Sequence, residues 1–216
     1  MKRAADGPPA YDDQAASLPS GARHLDELER PLRELRRHAP RLERWGAQLA
    51  DVLLAGGRLL TAGNGGSAAE AQHLAGELVG RYRDDRVPLS AIALCAESAS
   101  VTAIGNDYGP EEVFARQVRA HGRPGDVLVA LSTSGRSPNV LAAAAAANAT
   151  GMLTWALTGA PGNPLSLCAD DCVTVDSPHT ATVQEIHLIA IHLLCAAVDE
   201  SLATRAGGRF GRAVLA

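Results

Sequence analysis

The segment Ser132-Thr133-Ser134-Gly135-Arg136-Ser137 places four hydroxyls around one glycine, directly after the apolar run Val127-Leu128-Val129-Ala130-Leu131. A phosphate oxygen can accept from each of Ser132, Thr133, Ser134 and Ser137, and Gly135 lets the backbone approach an anion closely. Pro138 follows, at a position where a helix's first turn tolerates a missing N–H. A turn that merely caps a helix needs one hydroxyl; four favour a phosphate grip. A second strand-to-helix turn, Gly63-Asn64-Gly65-Gly66-Ser67-Ala68, follows Leu59-Leu60-Thr61-Ala62. It fits the Gly-x-Gly-x-x-Ala pattern of dinucleotide sites. That reading also needs an acidic residue ending the next strand, and Glu97 comes several residues late. Both turns lead into helix N-termini, whose free N–H groups and positive dipole end favour anions. The chemistry implied is the holding of a phosphorylated small molecule.

The whole chain must position these loops. It has 216 residues, 46% hydrophobic and 20% charged, with 3% aromatic and a formal charge of -4. That suits one globular α/β unit with an aliphatic core. The charge offers no basic stripe for nucleic acid and no pull toward an anionic membrane. Cys95, Cys168, Cys172 and Cys195 form no Cys-x-x-Cys pair, which argues against a zinc knuckle and for ordinary thiols. No apolar h-region follows Lys2 and Arg3, and no apolar run is expected to span a membrane. The expectation is a cytoplasmic protein without nucleic-acid or membrane partners.

Residues 1–20 read as a loose tail rich in Pro, Asp and Ser. Residues 21–56 read as a helical oligomerisation arm, with Leu25, Leu28, Leu32, Leu35, Leu42 and Leu49 at helical spacing. Pro31 is expected to start a helix turn and Pro40 to bend or divide the arm. The leucine stripe needs a partner, either the main domain or another copy of the chain. Residues 57–216 alternate between apolar runs (Arg58–Ala62, Leu89–Leu94, Asp126–Leu131, Met152–Leu157 and Cys172–Val175) and helix-length segments (Ser67–Val79, Glu111–His121 and Asn139–Ala149). A long apolar segment, Thr182–Thr204, closes the chain and should be a buried helix. Such alternation predicts an α/β fold with a parallel sheet covered on both faces.

Five blocks together resemble the sugar isomerase (SIS) domain and, within it, the phosphoheptose isomerases. They are Gly63-Asn64-Gly65-Gly66-Ser67; Gln72-His73 with Glu77-Leu78-Val79-Gly80-Arg81-Tyr82; Gly105-Asn106-Asp107-Tyr108-Gly109; the serine loop; and Gln184-Glu185-Ile186-His187 with His192. The serine loop alone marks an SIS domain; the other blocks carry the narrower match. The resemblance implies a three-layer sandwich around a five-stranded parallel sheet, with residues 57–216 as the SIS domain. It implies a homotetramer packed through terminal helices, and conversion of sedoheptulose 7-phosphate to D-glycero-D-manno-heptose 7-phosphate. It assigns Glu77 as the proton-shuttling base and His192 as the acid, with His73, Glu77, Gln184 and His192 as ligands of one zinc ion per subunit. Asn64, Gly65, Gly66, Ser67, Arg81, Asn106, Asp107 and Gln184 join the serine-loop hydroxyls as substrate-binding candidates.

Aldose–ketose isomerisation moves a proton between C1 and C2 and needs a base, an acid and a dry site. His73 and Glu77, four residues apart, share one face of the helix opened by the first loop, and such a pair can also chelate a metal. A carboxylate bound tightly to zinc is a poor free base, so the two roles compete. His187 lies about 60° from Gln184 and about 140° from His192 around the last helix, which leaves it out of the set. Gln184 and His192 are separated by about 12 Å of helix, whereas zinc ligand atoms sit about 2 Å from the metal. Either the two side chains lean together, or different subunits supply them. The second option predicts sites at subunit interfaces, each completed by a neighbour's C-terminal helix. Two positions depart from the family pattern: Thr182-Val183-Gln184-Glu185 replaces the usual Arg-Ile-Gln-Glu, and Glu70 stands where Asp is usual. Competing readings are a non-catalytic SIS tetramer that binds proteins, a sugar-phosphate sensor and a dinucleotide-dependent enzyme.

Overall fold

The aliphatic runs form five short strands in the computed structural model, which describes residues 21–206. The expected tail, residues 1–20, lies outside the described residues. The strands are β1 (Leu59–Ala62), β2 (Ala91–Ala93), β3 (Val127–Ser132), β4 (Leu153–Thr158) and β5 (Asp171–Thr174). Every pairing is parallel and the order is β2-β1-β3-β4-β5. All residues of β1 and β3 are buried, which is why these strands read as continuous apolar runs rather than as alternation.

Helices cover both faces, giving the expected three layers. On one side α1 (Gly21–Leu35), α2 (Ala39–Leu54), α3 (Gly66–Val79) and the closing α8 (Thr180–Ala206) share a core with the sheet. On the other side lie α4 (Ser98–Tyr108), α5 (Glu112–His121), α6 (Pro138–Thr150) and the single turn α7 (Pro164–Cys168). α8 meets the length and composition of a membrane-crossing helix, contrary to the expectation that no such run exists. With 56% of its most apolar 18-residue window buried inside the fold, it is the core helix the sequence predicts.

The arm divides at a 3-10 turn, Arg36–His38, just before Pro40, which sits in the first turn of α2. Pro31 does not start a helix turn; it lies inside α1. Part of the leucine stripe finds its partner in the main domain. Leu35, Leu42 and Leu49 are buried in the main core with Leu28 packed against it, whereas Leu25 and Leu32 remain exposed. Trp45 of α2 stacks on Trp155 of β4 at 4.8 Å and donates through Nε1 to Asp171 at 2.8 Å. At Gly46 the α2 backbone rides so close to α8 that a Cβ would lie 2.4 Å from that of Ala197. Arm and sheet therefore share one core.

His24 ties the start of α1 to α8. Its Nε2 lies 2.9 Å from Oε1 of Glu185, and its Nδ1 lies 3.9 Å from Oε2 of Glu27. The bond to Glu185 holds the imidazole above its ordinary pKa, with the charges of Glu185 and Glu27 adding to the effect against desolvation. A pKa raised by folding contributes stability fully present below the unfolded value of about 6.5, lost as pH rises through the folded value. His24→Gln should therefore lower the melting temperature near pH 6 and leave it almost unchanged near pH 8.5. Paired thermal melts of variant and parent across that range check this; a gap that widens with pH would contradict it.

Candidate active site

In the order β2-β1-β3-β4-β5 the chain reverses its winding between β1 and β3, and ligands of open α/β sheets bind beyond the carboxyl ends of the strands at that point. The two loops singled out from sequence are those that follow β1 and β3. Between them lies a cavity of about 270 Å³ lined by Asn64, Gly65, Gly66 and Ser67 from the first loop and Ser132, Thr133 and Ser137 from the second. Leu131, Thr180 and Gln184 complete the lining. The Gln184 amide packs on Gly66 so tightly that a Cβ there would fall 2.2 Å from Nε2.

Serine-loop geometry follows from a hydrogen-bonded turn. Gly135 N–H donates to the backbone oxygen of Ser132 at 3.1 Å and to its Oγ at 3.1 Å, while the Ser132 and Ser137 hydroxyls meet at 3.1 Å. Ser134 is exposed, accepts from the N–H of Arg136 and stands outside the cavity lining. Asn139, missed from sequence, joins the two loops: its amide and that of Asn64 exchange hydrogen bonds of 2.8 and 2.9 Å. A signal was available in its place, one residue after Pro138 at the helix start.

The acid–base candidates converge where α3 and α8 run side by side. His73 Nε2 lies 3.0 Å from Nε2 of His192 and 3.4 Å from Oε1 of Glu77. Oε2 of Glu77 is buried without a hydrogen-bond partner. The three side chains present ligand atoms all within 4.8 Å of one another. Tyr82 stacks on His192 at 5.5 Å. Arg86, also missed from sequence, pairs with Asp199 at 2.8 Å and donates to the carbonyls of Glu77 and Leu78 at 2.7 and 2.9 Å, fixing the last turn of α3.

His192 reaches His73 and Glu77 from its own chain. The contacts Gly66–Gln184, Glu70–His187 and His73–His192 advance together along both helices, so α3 and α8 run parallel. Gln184 therefore stands at the cavity end of this seam and His192 further along it. Among the described residues no hydrogen bond joins Gln184 to the His73–Glu77–His192 cluster.

Other candidates stand apart. Asn106 and Asp107 are exposed at the end of α4, bonded to each other at 2.8 Å and outside the cavity lining. Arg81 is exposed and donates to the carbonyl of Arg83 at 2.6 Å. Glu97, weighed as a misplaced ribose ligand, is the N-cap of α4: its carboxylate accepts from the N–H groups of Ala99 and Ser100. The Ser100 side chain, with those two N–H groups, holds it below the ordinary carboxylate pKa. A larger groove of about 780 Å³ runs between residues 82–87 and the end of α8 and contains none of the loop residues.

The SIS domain profile matches residues 23–159 of this chain. A phosphoheptose isomerase of Streptomyces coelicolor is 63% identical over 179 residues, 83% of this chain and 78% of that protein. This chain belongs to the phosphoheptose isomerase family. A second family member, from Thiobacillus denitrificans, is 51% identical over 167 residues, 76% of this chain and 85% of its own length. The solved structure of a phosphoheptose isomerase from Neisseria gonorrhoeae superposes with a TM-score of 0.76 at 42% identity, covering 83% of this chain and 96% of that one.

Proposed function

We propose that this phosphoheptose isomerase family member converts sedoheptulose 7-phosphate to D-glycero-D-manno-heptose 7-phosphate through an enediol, with Glu77 as base and His192 as acid. The observation that carries the reading is the spacing between grip and cluster. His73 is seven residues beyond Gly66 and His192 eight beyond Gln184, so the cluster stands about 10–12 Å along the helix pair from the cavity. An extended seven-carbon chain with a terminal phosphate reaches about 10 Å at bonds of about 1.5 Å. With the phosphate between the loops, C1 and C2 arrive at Glu77 and His192.

There Glu77 removes a proton from C1 while His192 gives one to the carbonyl oxygen on C2, forming the enediol. Glu77 returns its proton to C2, and the proton leaving the C1 hydroxyl goes back to His192, so both residues end as they began. Cavity side chains hold the phosphate, and Glu77, half-buried beside His73, carries the proton between the two carbons. Incubation with sedoheptulose 7-phosphate followed by separation of the products tests the reading. Appearance of the aldoheptose phosphate supports it; binding without turnover would replace it with a non-catalytic role.

The cluster also fits a zinc ion. Tetrahedral ligands at about 2.0–2.1 Å from a metal stand about 3.3 Å from one another, and the observed separations are 3.0 and 3.4 Å. His73, Glu77 and His192 would hold the ion, which when bound supplies charge to polarise a substrate oxygen. Because His192 Nε2 and the Glu77 carboxylate serve both roles, one and the same atom cannot bind metal tightly and carry a proton. Zinc should raise the melting temperature of the parent, by about 2.7 kcal/mol of stability at a hundredfold excess over Kd, and should not do so for His73→Ala. Thermal melts with and without zinc check this; equal shifts in both proteins would remove the cluster as the site.

Assembly into a homotetramer belongs to the same proposal. It is supported by the exposed Leu25 and Leu32 of α1 and Leu188, Ile189 and Leu193 of α8, apolar surface that a second copy would cover.

A further inference from the structure

We infer that His187 is a positioning residue for the phosphate grip, acting through Thr158 on Ser132. The inference rests on the reading of the serine loop as that grip. His187 is fully buried on α8, facing the carboxyl end of β4 rather than the His73–Glu77–His192 cluster. Its Nε2 lies 3.2 Å from the carbonyl oxygen of Thr158. A carbonyl can only accept, so Nε2 carries the hydrogen. The hydroxyl of Thr158, itself buried, donates onward to the carbonyl oxygen of Ser132 at 2.8 Å. Ser132 is where β3 ends and the grip begins. Its side chain meets Ser137, accepts from Gly135 and lines the cavity.

Two buried hydrogen bonds thus run from the last helix to the first residue of the loop, across two strand ends. Glu70 of α3 backs the imidazole from the other side. Its Oε2 lies 3.8 Å from Nδ1 of His187, and both atoms are buried without a hydrogen-bond partner. α3 opens from the first loop, and Thr158 at the end of β4 bonds the residue that begins the second, so the imidazole links α3 to the strand end that supports the serine loop. This gives a use to a histidine that the helical wheel sets aside from the catalytic set.

A residue that only fills space would affect folding and leave binding per folded molecule unchanged. A positioning residue changes phosphate affinity and KM while leaving kcat, which depends on Glu77 and His192, largely in place. Gln and Asn separate the two cases, since a Gln amide can reach where Nε2 stands and a shorter Asn cannot. Calorimetric titration with inorganic phosphate should show weakening of about tenfold for His187→Asn, the worth of one buried hydrogen bond, and near-parental affinity for His187→Gln. KM for sedoheptulose 7-phosphate should follow the same order. Thr158→Val, which removes the second link and keeps its shape, should weaken phosphate binding similarly and gives the answer even where His187→Asn fails to fold. Unchanged phosphate affinity in Thr158→Val, or equal losses in His187→Gln and His187→Asn, would overturn the inference. Failure of the parent to bind phosphate would instead overturn the grip, and the inference with it.

Discussion

Glu77→Gln should lower kcat by about a thousandfold, within the range a positioned general base contributes, while phosphate affinity stays near that of the parent. The amide keeps the volume and polarity of the carboxylate but has no lone pair able to take a carbon-bound proton. Oε2 of Glu77 makes no hydrogen bond, so no protein donor competes for its lone pairs, and Arg86 fixes the turn from which it projects. The grip lies at the other end of the α3–α8 seam and should not register the change. Solvent isotope gives an independent readout: in heavy water the parent should place deuterium at C2 of the aldose, and the variant should not. Turnover by Glu77→Gln equal to that of the parent would remove Glu77 from the reaction.

Much of this site was legible because its parts are local. A strand, a glycine and a run of hydroxyls occupy contiguous positions, and their chemistry needs no knowledge of the rest of the chain. The strands and the major helices were likewise set by short-range patterns, with ends that moved by one or two residues. α4 was not legible as a helix. Ser98, Ser100 and Thr102 favour turns and caps over helix interiors, and Asn106 to Pro110 reads as a turn. What sets the helix is Glu97, which caps its first N–H groups. α7 has five residues, too few to show a period.

The partnerships of α8 were least legible. Gln184, His187 and His192 point in three directions on one helix, and sequence spacing alone assigns them no neighbours. Parallel packing against α3 does so, in register from Gly66–Gln184 to His73–His192. That register sets the proposed phosphate grip and the acid–base cluster apart along one axis. It also explains why a relative could keep the serine loop and lose catalysis: the two functions sit about two helical turns apart, on residues that can change independently.

Gly135→Ala should abolish phosphate binding and cost the fold about 3 kcal/mol, two effects with one origin. Gly135 has φ +61, a left-handed conformation that costs an L-residue about 1–2 kcal/mol. Its absent Cβ would also lie 1.9 Å from Oδ1 of Asn163. That amide cannot swing aside freely: Oδ1 accepts from the N–H of Ser166 at 2.9 Å and caps α7, and Nδ2 donates to the carbonyl of Ala160 at 2.8 Å. Asn163 is buried as well. An alanine must therefore break the α7 cap, worth about 1 kcal/mol, or push the serine loop into the cavity between the loops. Gly151→Ala supplies the comparison. There φ is +79 at the end of α6, and a Cβ meets nothing closer than 3.6 Å. That variant should lose about 1 kcal/mol from backbone strain and keep its phosphate affinity. Denaturant melts with phosphate titrations on both variants distinguish strain from collision; equal behaviour of the two would mean that contact with Asn163 does not shape the grip.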